Sequence, residues 1–504
     1  MQHTATPTND IMAAKQQRRE PEKNKYLRAA MTIVFVAGSF ASIAYLYYSG
    51  LPAWISVAVA LIVLIVSGEV IAVANGLDGS YGIYMLKSSR GLDFIDYLAV
   101  KGGRFWNALA EWGAVLSFGL LSYVIFKKEI NKKILILGML SIAAMVFVVF
   151  PNTELFLSFL NIPGVNLSGF GGIGLLQVVF SWTLVALLVV SIFGGILFFM
   201  MALLGLSAAE IAYSIVSAVS KAVATGNPSS YASLSSQVPG VAPIIPGLTI
   251  PLFSGVLALA VVLVVHEFSH GILARISKIK LKSMGIVPFG VIPVGAFVEP
   301  DEKQVGRLDK RKQNGIFVAG VSSNFLMTFA FFALTALMII YVTPAFFKTG
   351  VVVSSTMPGY PAYNTIKPGS ILYRWNGYVV KNLTSVEEAA GNFTPFALVS
   401  VGTNNGNYTF QTNATGKVGV VIQNSQIPKV KGPMPGIVSF IYSFFVISFV
   451  LNFFVGGMNL MPLPAFDGWR IYKNRIKSKK KMHMIGWLMV IALIVLLLPW
   501  IWIL

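Results

Sequence analysis

The chain contains no cysteine among its 504 residues. Disulfide-stapled scaffolds, thiolate zinc sites and cysteine nucleophiles are therefore excluded. Charged residues are also scarce: they make up 11% of the chain and hydrophobic residues 56%, whereas soluble domains carry about 25% charged residues. This composition predicts a polytopic α-helical membrane protein with about nine transmembrane helices.

Acidic residues are half as frequent as basic ones, with 19 Asp and Glu against 38 Lys and Arg. The formal net charge is +19, which in a soluble protein would suggest a nucleic-acid partner. Here Lys and Arg cluster in short stretches beside apolar segments, as the positive-inside rule expects. We therefore attribute the basic excess to topology and contact with membrane lipid, and we expect no nucleic-acid partner.

Nine apolar segments are near or above the length needed to cross a bilayer. They are residues 29–48, 53–74, 106–126, 133–150, 173–204, 251–275, 315–343, 435–458 and 484–504. Residues 1–28 are polar and basic and predict a disordered cytoplasmic tail. Residues 205–250, rich in Gly, Pro and Ser, predict a loop outside the cytoplasm that can include one surface helix. With the tail inside, Lys127 and Lys128 fall outside against the positive-inside rule, so the topology and role of residues 29–250 stay open.

Histidine is rare, with four in the whole chain. Two of them, His266 and His270, stand four residues apart at the end of an apolar run and share one face of a helix. A five-residue match to the HExxH pattern can arise by chance, but on such a helix two imidazoles can bind one zinc ion. Glu267 is placed to accept a proton from the bound water. Ionisable residues inside a bilayer-length apolar segment are costly, which favours a functional role.

A catalytic zinc site usually has three protein ligands, so the two histidines need a partner. Asp467 is the one acidic residue between Glu388 and the C-terminus, and it follows the apolar segment 435–458 at the same membrane depth as the histidine pair. Pro462 and Pro464 interrupt the helix before it, and unwound backbone at this depth is tolerated where it lines a cavity. We predict Asp467 as the third ligand, with an ordinary Asp-Gly turn as the alternative.

Residues 345–432 break the hydrophobic pattern. They contain short β-branched runs and turn signals, which predict a small β-rich soluble domain. The preceding apolar segment starts inside, so we expect this domain outside the cytoplasm. Four Asn-x-Ser/Thr sequons agree with that placement; they are at Asn382, Asn392, Asn407 and Asn413.

In combination these motifs resemble those of the site-2 proteases, zinc metalloproteases that cut transmembrane helices inside the bilayer, in a PDZ-containing form of archaeal type. The resemblance covers about residues 250–504. The matching residues are His266–His270 for HExxH, Asn459, Pro462, Asp467 and Gly468 for N-x-x-P…D-G, and Ala319, Gly320 and Asn324 for a small-residue turn ending in Asn. Residues 285–302 are similar to the family's membrane-associated β-hairpin, and residues 357–377 to the start of a PDZ module.

The resemblance implies a zinc-dependent intramembrane endopeptidase, acting in regulated intramembrane proteolysis on peptide bonds within or near the transmembrane helices of membrane-protein substrates. It implies that Zn²⁺ is held by His266, His270 and Asp467, and that Glu267 is the catalytic base. Asn324 and Asn459 would donate hydrogen bonds to the substrate carbonyl or oxyanion.

The hairpin glycines Gly290 and Gly295 would lie where an unwound substrate pairs with the strand edge. The expected location is the cell membrane, with the active site toward the cytoplasm and the PDZ-like domain outside. Substrate identity and oligomeric state are left open.

The predicted organisation has six parts. They are a cytoplasmic tail (1–28), an N-terminal transmembrane region of unassigned role (29–250), a first catalytic segment (251–344), the PDZ-like domain (345–432), a second catalytic segment (433–482) and a C-terminal transmembrane helix (483–504).

Two alternatives come from other classes. A membrane-anchored zincin that cuts loops or soluble segments would need a downstream Glu ligand, for which Glu299 and Glu302 are the available residues. A non-catalytic scaffold or ion transporter could use the same His and Glu for binding, although a transporter would show paired broken helices in both halves.

Overall fold

The computed structural model describes residues 7–126, 130–149, 174–227, 251–391, 394–464 and 466–503, with single residues between 229 and 250. Within this part, eight helices are long and apolar enough to cross a membrane. The protein is a polytopic helical membrane protein with a β-rich domain. Lys127, Lys128 and Asn392 lie outside the described residues, as do residues 150–173.

The helices are numbered in chain order. They are α1 (Pro7–Tyr48), α2 (Ala53–Asn75), α3 (Leu92–Phe118), α4 (Ser122–Ile125), α5 (Lys132–Val149), α6 (Gly174–Thr225), α7 (Leu252–Ile276), α8 (Glu302–Arg307), α9 (Lys310–Leu337), α10 (Thr343–Phe346), α11 (Leu383–Ala390), α12 (Met434–Asn459), α13 (Asp467–Lys473), α14 (Lys479–Leu497) and α15 (Trp500–Ile503). A 3-10 turn, Gly119–Leu121, joins α3 to α4, and a π turn, Met338–Val342, joins α9 to α10.

Two sequence-based expectations need correction. Helix α1 begins at Pro7, inside the segment predicted to be disordered, because that segment is rich in the helix-forming residues Ala, Gln, Arg, Glu and Lys. Helix α6 continues to Thr225, well into the predicted loop, since residues up to 225 are Ala-rich and the Gly and Pro residues follow them. The predicted span 133–150 coincides with α5, which reaches Val149 at the limit of the described residues.

Helices α3 and α6 are both interrupted where they cross. Gly119 ends α3 with a φ of +54°, and Gly195 breaks α6 with a φ of +66°. A Cβ on Gly119 would collide with the Ile192 carbonyl, and a Cβ on Gly195 with the backbone of Ser117 and Phe118. Only glycine combines a positive φ with such close backbone contact.

The chain separates into two compact units, one of residues 1–330 with 447–504 and one of residues 331–446. The first contains a five-stranded sheet built on an antiparallel hairpin. Its strands are β1 (Gly79–Ser80), β2 (Ile83–Tyr84), β3 (Leu86–Ser88), β4 (Leu281–Phe289) and β5 (Ile292–Pro300), and β4 lies between β5 and the pair β2 and β3.

The second unit contains a six-stranded antiparallel sheet. Its strands are β6 (Phe347–Thr356), β7 (Ile371–Trp375), β8 (Tyr378–Val379), β9 (Leu398–Thr403), β10 (Gly406–Gln411) and β11 (Val420–Pro428), in the order β10-β9-β7-β6-β11 with β8 beside β7. Alternate residues of β9, Val399 and Val401, are buried, as expected for a strand with one face on a core. They pack with Val351, Leu372 and Trp375 in a single apolar cluster. This unit contains the predicted domain 345–432.

Candidate metal centre

Helix α7 carries the two histidines on one face. His266 and His270 are one turn apart, and their Nε2 atoms are 3.2 Å from each other. His266 is buried, with 6% of its surface exposed. An imidazole pair held this closely in an apolar helix needs a cation or a proton between the two nitrogens.

Asp467 completes a compact set of three ligand atoms. Its Oδ2 lies 3.1 Å from Nε2 of His266 and 3.1 Å from Nε2 of His270. Tetrahedral zinc with bonds of about 2.0–2.1 Å to nitrogen and oxygen requires ligand atoms about 3.3 Å apart. The observed triangle fits zinc in both its dimensions and its donor types, two imidazoles and a carboxylate.

The segment between α12 and α13 places Asp467 at the centre. Asp467 is the first residue of α13, and a Cβ on the following residue, Gly468, would collide with the carbonyl oxygen of Leu460. The Tyr472 hydroxyl donates to that same carbonyl at 2.9 Å. Burial raises the pKa of the Asp467 carboxyl. The two imidazoles lower it by a larger amount, so the pKa lies below its usual range. The carboxyl is therefore ionised, as a metal ligand must be.

The second nitrogen of each imidazole also has a partner. Nδ1 of His270 donates to the carbonyl of Ile316 at 2.7 Å, which leaves its Nε2 lone pair free for a metal. Nδ1 of His266 lies 3.0 Å from the side-chain amide of Asn324, which is fully buried.

As the amide is placed, its nitrogen faces His266, and its oxygen has no hydrogen-bond partner among the described residues. An amide turned so that this oxygen accepts from Nδ1 of His266 fixes the tautomer that a metal on Nε2 requires. Its contact with His266 places Asn324 where it can orient that imidazole, and its predicted contact with the substrate stays a prediction.

Gly320 on α9 leaves room for the metal. A Cβ at this position would lie 2.5 Å from Nε2 of His270 and 2.6 Å from Nε2 of His266. Any side chain here would occupy the space in front of both ligand atoms. The predicted small-residue turn therefore acts at the centre through the absence of a side chain.

Glu267 is fixed beside the centre by the β-hairpin. Its Oε2 accepts from the backbone N–H of Val298 at 3.1 Å. Val298 lies on β5 opposite Met284 of β4, and its N–H points away from β4 toward the helix. The carboxylate that we predicted as the base therefore lies between the histidine pair and the open edge of β5.

Comparison with known proteins agrees with this geometry. Residues 254–497 match the model of Peptidase family M50. We call these residues the M50 domain after this match. The match confirms the resemblance to the site-2 proteases, a family of membrane-embedded metalloproteases. An uncharacterized protein of Methanocaldococcus jannaschii is 27% identical over 241 residues, which are 46% of this chain and 61% of the relative, so the chain spans less than two thirds of that protein.

Three predicted residues of the M50 domain have no contact with the ligand triangle. Asn459 ends α12 and donates from Nδ2 to the carbonyl of Val455 at 3.0 Å. Gly290 is at the hairpin turn with a φ of +60° and packs against the backbone of Leu64. Gly295 lies within β5 opposite Val287. Their proposed substrate contacts stay predictions.

The N-terminal region packs directly on the M50 domain, which the sequence did not predict. Arg275 of α7 forms an ion pair with Asp96 of α3, and Phe94 contacts Phe268, the residue between Glu267 and Ser269. Glu111 of α3 pairs with Arg311 of α9 at 3.3 Å. The sequence does show acidic residues in α3 and basic residues in α7 and α9, but it does not show which of these charges pair.

Proposed function

We propose that this protein is a zinc-dependent intramembrane endopeptidase that hydrolyses peptide bonds within or near transmembrane helices of membrane-protein substrates. The observation that carries the proposal is the triangle formed by His266 and His270 of the bilayer-length helix α7 and Asp467 at the start of α13, with Glu267 beside it. The M50 match over residues 254–497, a range that contains all four residues, supports it.

The protein groups have separate tasks in such a reaction. His266, His270 and Asp467 hold the zinc, which supplies Lewis acidity for the attack of water on the peptide carbonyl. Glu267 accepts the proton of the attacking water and transfers it to the departing amine. Asn324 and Ile316 keep the imidazoles in the orientation that ligation needs.

The substrate must expose its scissile carbonyl, which a helix hides in an i to i−4 hydrogen bond. Strand β5 has a free edge for an unwound segment, since no described strand pairs with it there. The Val298 N–H on this edge is donated to Glu267, and the Ala296 N–H, two residues earlier, points to the same edge because backbone groups alternate along an antiparallel strand. A substrate paired with this edge would run past Glu267. Gly295 would add no side chain to that stretch of the strand.

The proposed orientation follows from the basic segments. Lys278, Lys280 and Lys282 come at or just after the end of α7, and residues 470–481 after α12 are strongly basic. The positive-inside rule places both ends in the cytoplasm, so the active site faces that side and the β-rich unit lies outside. We propose a PDZ-like role for that unit and transmembrane proteins as the substrates.

The zincin alternative loses its ligand. Glu299 accepts from Ser283 at 2.8 Å, and Glu302 pairs with Arg470 at 3.2 Å. Neither belongs to the described metal-ligating group, whose third member is Asp467. The interruptions of α3 at Gly119 and of α6 at Gly195 are a feature that the transporter alternative predicts. Both lie in the N-terminal region, however, and neither contains a residue of the metal-ligating group.

A cleavage assay in liposomes tests the proposal. The purified protein is incubated with a single-span substrate and the products are mapped by mass spectrometry. We expect a cut within or next to the apolar segment by the wild type and none by Glu267→Gln. Equal cleavage by the two proteins, or cuts confined to a soluble loop, would contradict it.

A further inference from the structure

The hairpin that carries the open edge is itself held by residues from the N-terminal region. Residues 83–88 lie antiparallel to residues 284–289 in one register, with Ile83 opposite Phe289 and Leu86 opposite Ile286. Strand β4 is therefore paired on both sides, with β5 on one edge and β2 and β3 on the other. The open edge of this hairpin is the one that faces Glu267.

The hairpin turn is bound at two points. The Tyr84 hydroxyl donates to the carbonyl of Gly290 at 3.0 Å, and the Gly290 N–H donates to the carbonyl of Gly82 at 2.8 Å. Tyr84 is buried, with 5% of its surface exposed. The backbone polar groups of the turn are thus satisfied by β2 and the turn before it.

Helix α2 anchors the same contacts. The carboxylate of Glu69 accepts from the Gly82 N–H at 3.1 Å. Gly82 and Gly290 approach the helix so closely that a Cβ on either would lie within 2.7 Å of the backbone of Ile65 or Leu64. The hairpin turn is therefore fixed against a helix that lies about 200 residues earlier in the chain.

We propose that α2 and residues 82–88 form a positioning element that holds the β4–β5 hairpin so that the edge of β5 at Ala296, beside Glu267, receives the substrate strand. Tyr84 is its central positioning residue. This inference rests on the proposed endopeptidase activity and assigns to part of the N-terminal region a role in substrate binding. A hairpin released at its turn would let β5 move away from Glu267, which weakens substrate binding and leaves the zinc ligands in place.

The first test uses the absence of cysteine. In the double variant Leu86→Cys with Ile286→Cys, the new thiols are the only ones in the chain and face each other across paired strands, where a disulfide can form. We expect mild oxidation to produce the cross-link, detected by mass spectrometry after proteolysis. The cross-linked protein should keep its KM. Failure to cross-link, or a cross-link that prevents substrate binding, would overturn the positioning role.

The second test compares Tyr84 with Tyr81, which lies three residues earlier and outside the positioning element. Tyr84→Phe removes the hydrogen bond to Gly290 and should raise KM about fivefold with kcat unchanged, the effect of losing about 1 kcal/mol. Tyr81→Phe is the matched control, since Tyr81 is 82% exposed, and it should leave KM unchanged. Zinc content should be the same in both variants.

The outcomes separate the two proposals. A wild type that binds zinc but cuts no transmembrane substrate would overturn the endopeptidase function and the inference with it. A wild type that cuts normally while Tyr84→Phe matches Tyr81→Phe in KM would overturn the positioning role alone. Loss of zinc in Tyr84→Phe would also overturn it, because the element would then support the metal centre and not the substrate edge.

Discussion

At the scale of single residues, Gly320 shows that the metal centre needs free volume beside the ligand atoms as well as the ligands themselves. The histidines and Asp467 supply the donor atoms, and Gly320 leaves open the volume in front of two of them. Asn324 and the Ile316 carbonyl then fix which nitrogen of each imidazole is free. A ligand triangle of this size is therefore the product of at least three non-ligand contacts.

Gly320→Ala should abolish zinc binding. The added Cβ would lie within 2.6 Å of both Nε2 atoms, and neither imidazole can retreat without losing its Nδ1 contact. Gly315→Ala is the matched control on the same helix, since nothing lies within 4 Å of a Cβ there. Metal analysis of both purified variants checks this. Full zinc in Gly320→Ala would show that the ligands meet elsewhere.

Asn324→Leu should weaken zinc binding about 10–100-fold, the usual effect of removing a partner behind a metal-ligating histidine. Asn324→Asp keeps an acceptor for Nδ1 of His266 and should recover most of the affinity. Competition with a zinc chelator measures both. If Asn324→Asp and Asn324→Leu lost affinity equally, the contact with His266 would not be what matters.

The sequence predicts the ligands because two of them have the spacing of one helical turn and the third is a rare residue type in its part of the chain. His266 and His270 are one helical turn apart, and Asp467 is the one acid in the last stretch of the chain. The partners of these residues are less visible. Ile316 and Val298 contribute only backbone groups, and a backbone carbonyl or N–H leaves no mark on the residue type.

At the scale of secondary-structure elements, close backbone approach recurs. Helices α3 and α6 meet at Gly119 and Gly195, and the turn of the β4–β5 hairpin meets α2 at Gly290. Hydropathy predicts where the helices lie but not these crossings, because an interrupted apolar helix has the same composition as a continuous one. The pairing of residues 83–88 with β4 was also missed, since strands of two or three residues have no periodicity to detect.

Gly195→Ala should destabilise the protein by about 1–3 kcal/mol, because the new methyl group is forced against the backbone of α3 and the residue has a positive φ. Gly205→Ala, on the same helix with open space around it, should be neutral or slightly stabilising. Thermal unfolding in one detergent compares them. Equal melting temperatures would mean that the two helices do not cross at these glycines.

At the scale of the whole molecule, the N-terminal region shares one compact unit with residues 254–330 and 447–497 of the M50 domain. Helix α3 contacts α7 through the Asp96–Arg275 pair and α9 through the Glu111–Arg311 pair. A Cβ on Gly113 of α3 would collide with Ser322 of α9. No role of the N-terminal region could be predicted from the sequence, because the residue types of two apolar helices do not show which helices pack together.

Residues 251–504 expressed alone should therefore fail to bind zinc. Coexpression with residues 1–250 as a separate chain should restore binding, since helices inserted independently can associate in the membrane. Zinc content of the affinity-purified fragments checks this. A fragment 251–504 that binds zinc by itself would show that the N-terminal region is dispensable for the centre.

The most direct test of the central claim is the zinc content of the purified protein, measured beside cleavage of a single-span substrate for the wild type, Asp467→Ala and Glu267→Gln. We expect one zinc per wild-type chain, weakened binding in Asp467→Ala, unchanged zinc in Glu267→Gln, and no cleavage by either variant. Unchanged zinc and cleavage in Asp467→Ala, or a wild type without zinc, would contradict the claim that His266, His270 and Asp467 hold a catalytic metal.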